Sequence, residues 1–409
     1  MNTLPALLQP LFEQTRTVCF GRLIMQIPAS ATMVYGPAEA GTPIEFAGGE
    51  AARLGERLTA RLAQVEKERR FMQNGDLVRM PLFGKVVDGM VPGQKIVYGS
   101  KDQVGYAVYS FVPVGEDLFI QRIDSVLPDE YDDAALNRVA SALRLRAEAD
   151  IPREPGSCIE GGFVPFDQRY ERVTVGVRFN EFPDIHLSVE VHKNGEHLPQ
   201  HADLDSLRRG ALEEAKSVGL GVLFASIKEL RNQARQVAGR QGAEFALKIP
   251  AYKNEMENHQ FRFLSPGAAN DSLQPRLDIR LDTGLKNNRR AKVKPSLSDE
   301  ETLALWDKVL STIRPRQASD AKAAPKLPKE PLATLISTGS PCPQSGWWQC
   351  ADGSKIEGDR RRKFSEGDAM PSVTLLGEQN LWDRLRGERL RHEMSTVWEL
   401  VAYDKEGKS

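Results

Sequence analysis

The chain is 409 residues long and 40% hydrophobic, more than one ordinary domain needs and enough to give each of two or three units its own core. Fifty-five Lys and Arg against 56 Asp and Glu leave a formal charge of −1, so no global basic field can hold a nucleic acid or an anionic membrane. No apolar run reaches the roughly eighteen residues a membrane-spanning helix requires.

The opening MNTLPALLQPLFEQTR has no Lys or Arg before Arg16, and Pro5, Gln9, Pro10 and Glu13 interrupt any apolar leader core, so it does not read as a signal peptide. From residue 16 to 47, short apolar runs broken by Gly and Pro predict strands. EAARLGERLTARLAQVEKERR follows, with Leu54, Leu58, Leu62 and Val65 on one face of an amphipathic helix. GKVVDGM, QKIVYGS, GYAVYSFVPV and EDLFIQRIDSV predict an antiparallel meander, closed by a helix in DDAALNRVASALRLR before the Pro-rich ADIPREPG.

A similar order then recurs. YERVTVGVRF and DIHLSVEVHKN predict strands, LDSLRRGALEEAKSVG a helix, and QARQVAGRQ, AEFALKI, HQFRFLS and RLDIRLDTG strands. SDEETLALWDKVLSTIR predicts a closing helix with capping-box spacing between Ser298 and Glu301 and a buried stripe of Leu303, Trp306 and Leu310. The expected fold class is α+β: two similar domains of antiparallel sheet plus helices, at 1–152 and 153–316. QASDAKAAPKLPKEP has the composition of a linker, placed at 317–332, and 333–409 forms a small C-terminal module holding Trp347, Trp348, Trp382 and Trp398.

Chemistry-bearing patterns are few. Cys342 and Cys350 flank the loop CPQSGWWQC, which lacks the ligand set of a zinc site and the CxxC of a redox motif; a disulfide and two thiols packed beside tryptophans both remain open. His186, His192, His197 and His201 crowd one region, but His186 and His192 on a regular strand are too far apart to chelate one ion, and surface histidines are the ordinary reading. SVGLGVLFA starts like a dinucleotide fingerprint and then places Phe224 at the third glycine; no P-loop, GxSxG or HExxH occurs. No residue is therefore nominated as catalytic, cofactor-binding or metal-ligating, and no cofactor is expected.

For partner binding the candidates are the basic run Lys286, Arg289, Arg290, Lys292 and Lys294, most simply a solvated loop, and Trp347 and Trp348. Adjacent strand residues face opposite ways, so at least one of the two tryptophans belongs in a core.

Four stretches together carry a family resemblance: TVCFGRLIMQIPASATMVYGP, GKVVDGMVPGQKIVYG with GEDLFIQ, IPREPGSCIEGGF, and LDIRLDTGLKNNRRAKVKPSLSDEETLALWDKVLSTIRPR. They resemble the two-domain immunity proteins of type VI secretion lipase effectors, the Tle cognate immunity family, over most of residues 16–316. The C-terminal module resembles an appendage of some members. The resemblance implies a non-catalytic protein that grips a secreted phospholipase of the α/β-hydrolase kind between its domains and occludes it. It also implies that Cys19 and Cys158, at the family's recurring cysteine positions, pair with each other. The compartment implied is the periplasm, against which stands the absence of an export signal in this chain; in the cytoplasm the cysteines would stay reduced. An adaptor or chaperone for a secreted effector is the alternative, followed by a hydrolase with its site in the interdomain cleft.

Overall fold

The computed structural model describes residues 4–131, 133–168, 170–194, 209, 213, 216–217, 224–286, 290–318, 332, 334–340, 342–350, 356–365, 368–376, 391–394 and 396–403. After two 3-10 turns come a hairpin of β1 (Thr15–Phe20) and β2 (Leu23–Pro28), then β3 (Thr32–Ala40), β4 (Thr42–Ala47), α1 (Leu54–Arg69) and α2 (Asn74–Arg79). A meander of β5 (Val86–Asp88), β6 (Lys95–Gly99), β7 (Tyr106–Val114) and β8 (Asp117–Val126) leads to α3 (Ala134–Ala142), β9 (Arg144–Leu145), β10 (Gly156–Ile159) and β11 (Gly162–Pro165). The next strands are β12 (Glu171–Phe179), β13 (Phe182–His192), β14 (Lys228–Val237), β15 (Arg240–Ile249), β16 (Asn258–Ser265) and β17 (Arg276–Asp282). The short pair β18 (Leu285–Lys286) and β19 (Arg290–Ala291), α4 (Asp299–Leu310) and β20 (Arg314–Pro315) complete the main body.

The architecture is α+β, built on antiparallel sheet. Twelve strands form one continuous sheet in the order β14-β15-β16-β17-β13-β12-β3-β4-β8-β7-β6-β5. Strands from the two sequence halves meet where β12 pairs with β3, in the register Val175↔Tyr35 and Val177↔Met33. The amino-terminal hairpin is used elsewhere: β2 pairs with β20, so Leu23 lies opposite Pro315, and Gln26 exchanges backbone hydrogen bonds with the Thr312 hydroxyl at the end of α4.

Alternation drives the main core. Val173, Val175 and Val177 of β12 and Leu277, Ile279 and Leu281 of β17 all point to the face covered by Leu305, Trp306, Val309 and Leu310 of α4. Both halves of the capping box form, Ser298 and Glu301 each taking the other's backbone N–H. Leu303 packs at the edge of that core, and the buried stripe is Thr302, Leu305, Trp306, Val309 and Leu310, which recur at spacings of three and four. On α1, Val65 is buried and Leu54, Leu58 and Leu62 pack partly against a second core under β6 and β7.

Two expected elements differ. QARQVAGRQ is not one strand but the end of β14 and the start of β15, because Ala238 and Gly239 both take positive φ, 55° and 78°, and turn the chain. The helix after Asp133 stops at Ala142, since Leu143 is already extended and leads into β9. The helix expected in LDSLRRGALEEAKSVG lies mostly outside the described residues.

The C-terminal module contains β21 (Leu335–Ser337), β22 (Gly346–Cys350), β23 (Arg361–Phe364), β24 (Val373–Leu376), β25 (Arg391–Met394) and β26 (Val397–Tyr403). Four of them form a sheet in the order β21-β26-β22-β23, and β24 pairs with β25. Trp348, Trp398, Leu400, Met370 and Val373 make its own core.

Candidate partner-binding site

The site begins at the junction of the two sequence halves. Gly21 and Cys158 exchange two backbone hydrogen bonds of 2.8 Å, bridging the β1–β2 turn to β10. This brings Cys19 and Cys158 together, and they are joined by a disulfide with Cα atoms 5.9 Å apart. The bond is fully buried with Phe163 and Ile24.

Arginines and backbone carbonyls enclose that junction. Arg316 donates to the carbonyls of Pro152, Glu154 (2.7 Å) and Gly156 (2.6 Å), and Arg146 donates to those of Ala147, Glu148, Asp150, Ile159 and Gly162. The guanidinium groups of Arg144 and Arg316 lie 4.7 and 5.2 Å from the Phe163 ring centre. Burial, then the neighbouring Arg22, Arg146 and Arg144, pull the Arg316 pKa down to about 10. Arg22 makes a two-pronged contact with Glu171 at 2.9 and 2.7 Å, fixing the start of β12 against the β1–β2 turn. The stretch IPREPGSCIEGGF is thus the segment whose carbonyls the arginines hold.

Its last part reaches the sheet. The β10–β11 turn places Glu160 beside the N-terminal half, with Gly161 at a φ of +62°, where a Cβ would stand 2.3 Å from the Phe46 ring. Only glycine fits that approach. Glu160 then borders a hollow of about 330 Å3 that adjoins the main core, with Tyr35, Pro43, Phe46, Ile120 and Ile159 as apolar wall and Glu45 and Arg122 also lining it. Burial, and then the charge of Glu45, push the Glu160 carboxyl up.

Tyr109 lines this hollow and also a second one of about 510 Å3, bounded by α1 and including Phe71, Met72, Lys101 and Asp124. Phe71 is 68% exposed. Between the two, Arg61 of α1 lies 4.2 Å over the Tyr109 ring and donates to Glu68 at 2.9 Å. The central strands carry charge on the face opposite the main core: Arg172 donates to Glu190 at 2.9 Å, and Asp278 receives Arg262 (2.9 and 2.6 Å) and Arg280 (3.2 and 3.0 Å). Burial pushes the Asp278 carboxyl up, but those bonds outweigh it and hold it below its ordinary value. The arrangement is an apolar, hollowed surface and a charged one, suited to a protein partner and presenting no assembled nucleophile.

Residues 150–318 match the model of the Tle cognate immunity protein 4 C-terminal domain. That segment, and not the whole chain, is what matches the Tle cognate immunity proteins. Among solved structures, it is similar to the immunity protein TplEi of the T6SS from Pseudomonas aeruginosa complexed with "L" peptide, at 23% identity and a TM-score of 0.55, over 75% of this chain and 99% of that one. It is likewise similar to a chain of the Tle4–Tli4 complex, at 22% identity and a TM-score of 0.58, over 75% of this chain and 98% of that one. The likeness shows the same fold across essentially the whole of those proteins, leaving a quarter of the present chain without a counterpart in them. No curated protein sequence matches. The immunity-domain match begins at residue 150, at the carbonyl-rich junction just described.

The residues singled out from sequence fall in different places. Lys286, Arg290, Lys292 and Lys294 are exposed around β18 and β19, where Lys292 donates to the Asn254 carbonyl at 2.7 Å; Arg289 lies outside the described residues. None of them lines either hollow. Cys342 and Cys350 are buried and not in a disulfide, so the stapled loop does not form: Cys342 lies 3.2 Å from the Gln344 carbonyl and Cys350 3.1 Å from the Thr396 hydroxyl. Trp348 is fully buried and cannot meet a partner, because the alternation of β22 sends it into the core; Trp347 points outward under the Arg361 guanidinium, 5.3 Å away. His186 and His192 are half-buried on β13, with burial lowering the pKa of both, and His197 and His201 lie outside the described residues. Among the described residues no group of three His, Cys, Asp or Glu could hold a metal ion.

One constellation has the outline of a catalytic triad. His259 lies 3.0 Å from the Thr283 hydroxyl through Nδ1 and 3.0 Å from Asp299 through Nε2. Thr283 is fully buried and its oxygen accepts the His259 backbone N–H at 2.8 Å, so no substrate can reach it. The bond from His259, against burial and with help from Lys228 and Lys248, holds the Asp299 carboxyl well below the carboxylate range. This is a polar clamp fastening β16 to the start of α4.

Sequence reasoning missed Glu45, Glu160, Tyr35 and Tyr109. The one available signal was EGGF, whose paired glycines mark a tight turn pressed against another element and so an acidic residue held out at its tip.

Proposed function

We propose that this chain is a non-catalytic immunity protein that binds and silences a type VI secreted effector, protecting the cell that makes it. The observation that carries this reading is the coincidence of two matches. The immunity-domain model covers 150–318, and the fold of two type VI immunity proteins, one of them from a complex with Tle4, spans nearly their whole length here. The effector is of the lipase class with an α/β-hydrolase fold, and the mechanism is stoichiometric occlusion, for which the hollowed surface and the charged one supply area and complementarity. The periplasm is the proposed compartment, supported by the buried Cys19–Cys158 disulfide, a bond that persists in oxidising surroundings. Within this reading residues 1–152 and 153–316 act together as the binding body, with 333–409 as an accessory module.

The test is a purified pair: the full chain mixed with a type VI lipase effector from the same bacterium, with complex formation followed by light scattering and hydrolysis of a phospholipid substrate recorded at rising ratios. Activity should fall linearly to zero at one to one. A lipase that binds but stays fully active would point to an adaptor instead, and absence of any complex would remove the reading.

A further inference from the structure

We propose that the hollow between β3, β4, β8 and the β10–β11 turn is a socket for a basic side chain, an arginine on the surface of the bound effector. The inference rests on the immunity reading for the identity of the partner, but the chemistry of the socket is argued from this chain alone.

Three observations converge. The hollow, about 330 Å3, is at the small end of ligand-sized cavities, room for a side chain and not for a helix. Its wall is aromatic and aliphatic, with Tyr35, Phe46 and Ile120, while two carboxylates, Glu45 and Glu160, line it together, the Glu45 charge reaching Glu160. Neither carboxylate has a hydrogen bond or ion pair among the described residues, and the one cation at the rim, Arg122, is engaged with Asp124 at 3.1 Å.

The chain itself shows how such a set is satisfied. On the other side of Tyr109, the Arg61 guanidinium stacks on the ring at 4.2 Å and donates to Glu68 at 2.9 Å. That is aromatic face plus carboxylate, filled by an arginine. The first hollow repeats the aromatic wall and the carboxylates, while its one lining cation, Arg122, is drawn to Asp124 and not to Glu45 or Glu160. A planar guanidinium with a three-carbon stem satisfies both parts, its stem along the apolar wall and its donors between the two carboxylates. The position of Glu160 is fixed by features already described: the Gly161 turn against Phe46, and the disulfide that ties β10 to β1.

The test uses the full-length chain, isotope-labelled, titrated by NMR with Nα-acetyl-arginine methylamide and separately with the citrulline counterpart, which keeps shape and loses charge. The expected result is saturable movement of the Glu45, Glu160 and Gly161 amides with a dissociation constant on the order of 1 mM for the arginine probe, and binding at least about tenfold weaker for citrulline. The Glu45→Gln/Glu160→Gln variant, checked for an unchanged unfolding transition, should lose the preference. Equal response to both probes, or displacement of the arginine probe by millimolar calcium, overturns the socket and leaves the immunity reading intact. With the lipase effector that the wild-type chain binds, the same variant should need at least about tenfold more protein for half-inhibition. If wild-type chain prefers arginine but does not silence the lipase, the proposed function fails while the socket stands.

Discussion

The junction of the main body and the C-terminal module each hold two buried cysteines. Cys19 and Cys158, far apart in sequence, are bonded; Cys342 and Cys350, close in sequence, are not. The difference lies in the backbone around them. Paired hydrogen bonds between Gly21 and Cys158 set two strands side by side and bring the sulfur atoms into bonding reach, whereas in the module Cys342 precedes β22 and Cys350 ends it. Each of those thiols also faces an oxygen, which satisfies it without a bond. The main body is therefore held at its junction by a covalent tie inside a polar cage, and the described part of the module by an apolar core around Trp348 and Trp398.

The largest expected effect comes from cutting the tie. Cys19→Ala/Cys158→Ala should lower the stability of the main body by up to roughly 4 to 5 kcal/mol, the chain-entropy figure for a loop of this length, and reductant should reproduce the loss in the wild type. Denaturant unfolding followed by circular dichroism measures it. If the module is held as described, its own transition should stay in place, and a joint loss would break the comparison.

In the module the corresponding change is Trp348→Ala, expected to cost about 3 kcal/mol through the cavity it leaves, against less than about 0.5 kcal/mol for Trp347→Ala on the outer face. Fluorescence-detected unfolding of the two variants separates them. Next in size is Arg316→Ala, which leaves the carbonyls of Pro152, Glu154 and Gly156 without their donor; a loss of about 2 kcal/mol is expected, additive with nothing in the module.

The smallest change has the opposite sign and depends on pH. Burial, only partly opposed by Arg280, pushes Asp282 at the end of β17 up to about 6. The native chain then keeps a proton that the unfolded chain has already released near its ordinary pKa of about 4. Stability from this group is full below that value and is lost as pH rises towards 6. Asp282→Asn should accordingly stabilise the main body by roughly 1 kcal/mol at pH 8 and leave it unchanged at pH 4, read from denaturation midpoints at the two pH values.

Periodicity made much of this fold legible. The alternation of Leu277, Ile279 and Leu281, the capping box of Ser298 and Glu301, and the opposed faces of Trp347 and Trp348 are local rules that the tertiary structure obeys. The β3–β12 pairing was not legible, because edge-to-edge choice among many similar strands depends on global assembly. The turn at Ala238–Gly239 was hidden by a non-glycine residue with positive φ. The hollow escaped for a related reason: Glu45 and Glu160 are far apart in sequence, and each alone resembles any solvated carboxylate. The basic run around Lys292 drew attention by composition, yet composition carries no information about which face a loop presents.

The pairing of β2 with β20 has a topological consequence. With Leu23 opposite Pro315 and Ile24 opposite Arg314, the first hairpin of the main body and its last strand are neighbours, so the backbone of that body is close to a ring. A short peptide from residue 316 to residue 15 could close it, and new ends could be opened in an exposed turn such as Ala238–Gly239 without removing any strand from the sheet. Such a circular permutant would carry the C-terminal module at an internal insertion point or free of the body altogether, which turns the module from a tail into a separable part.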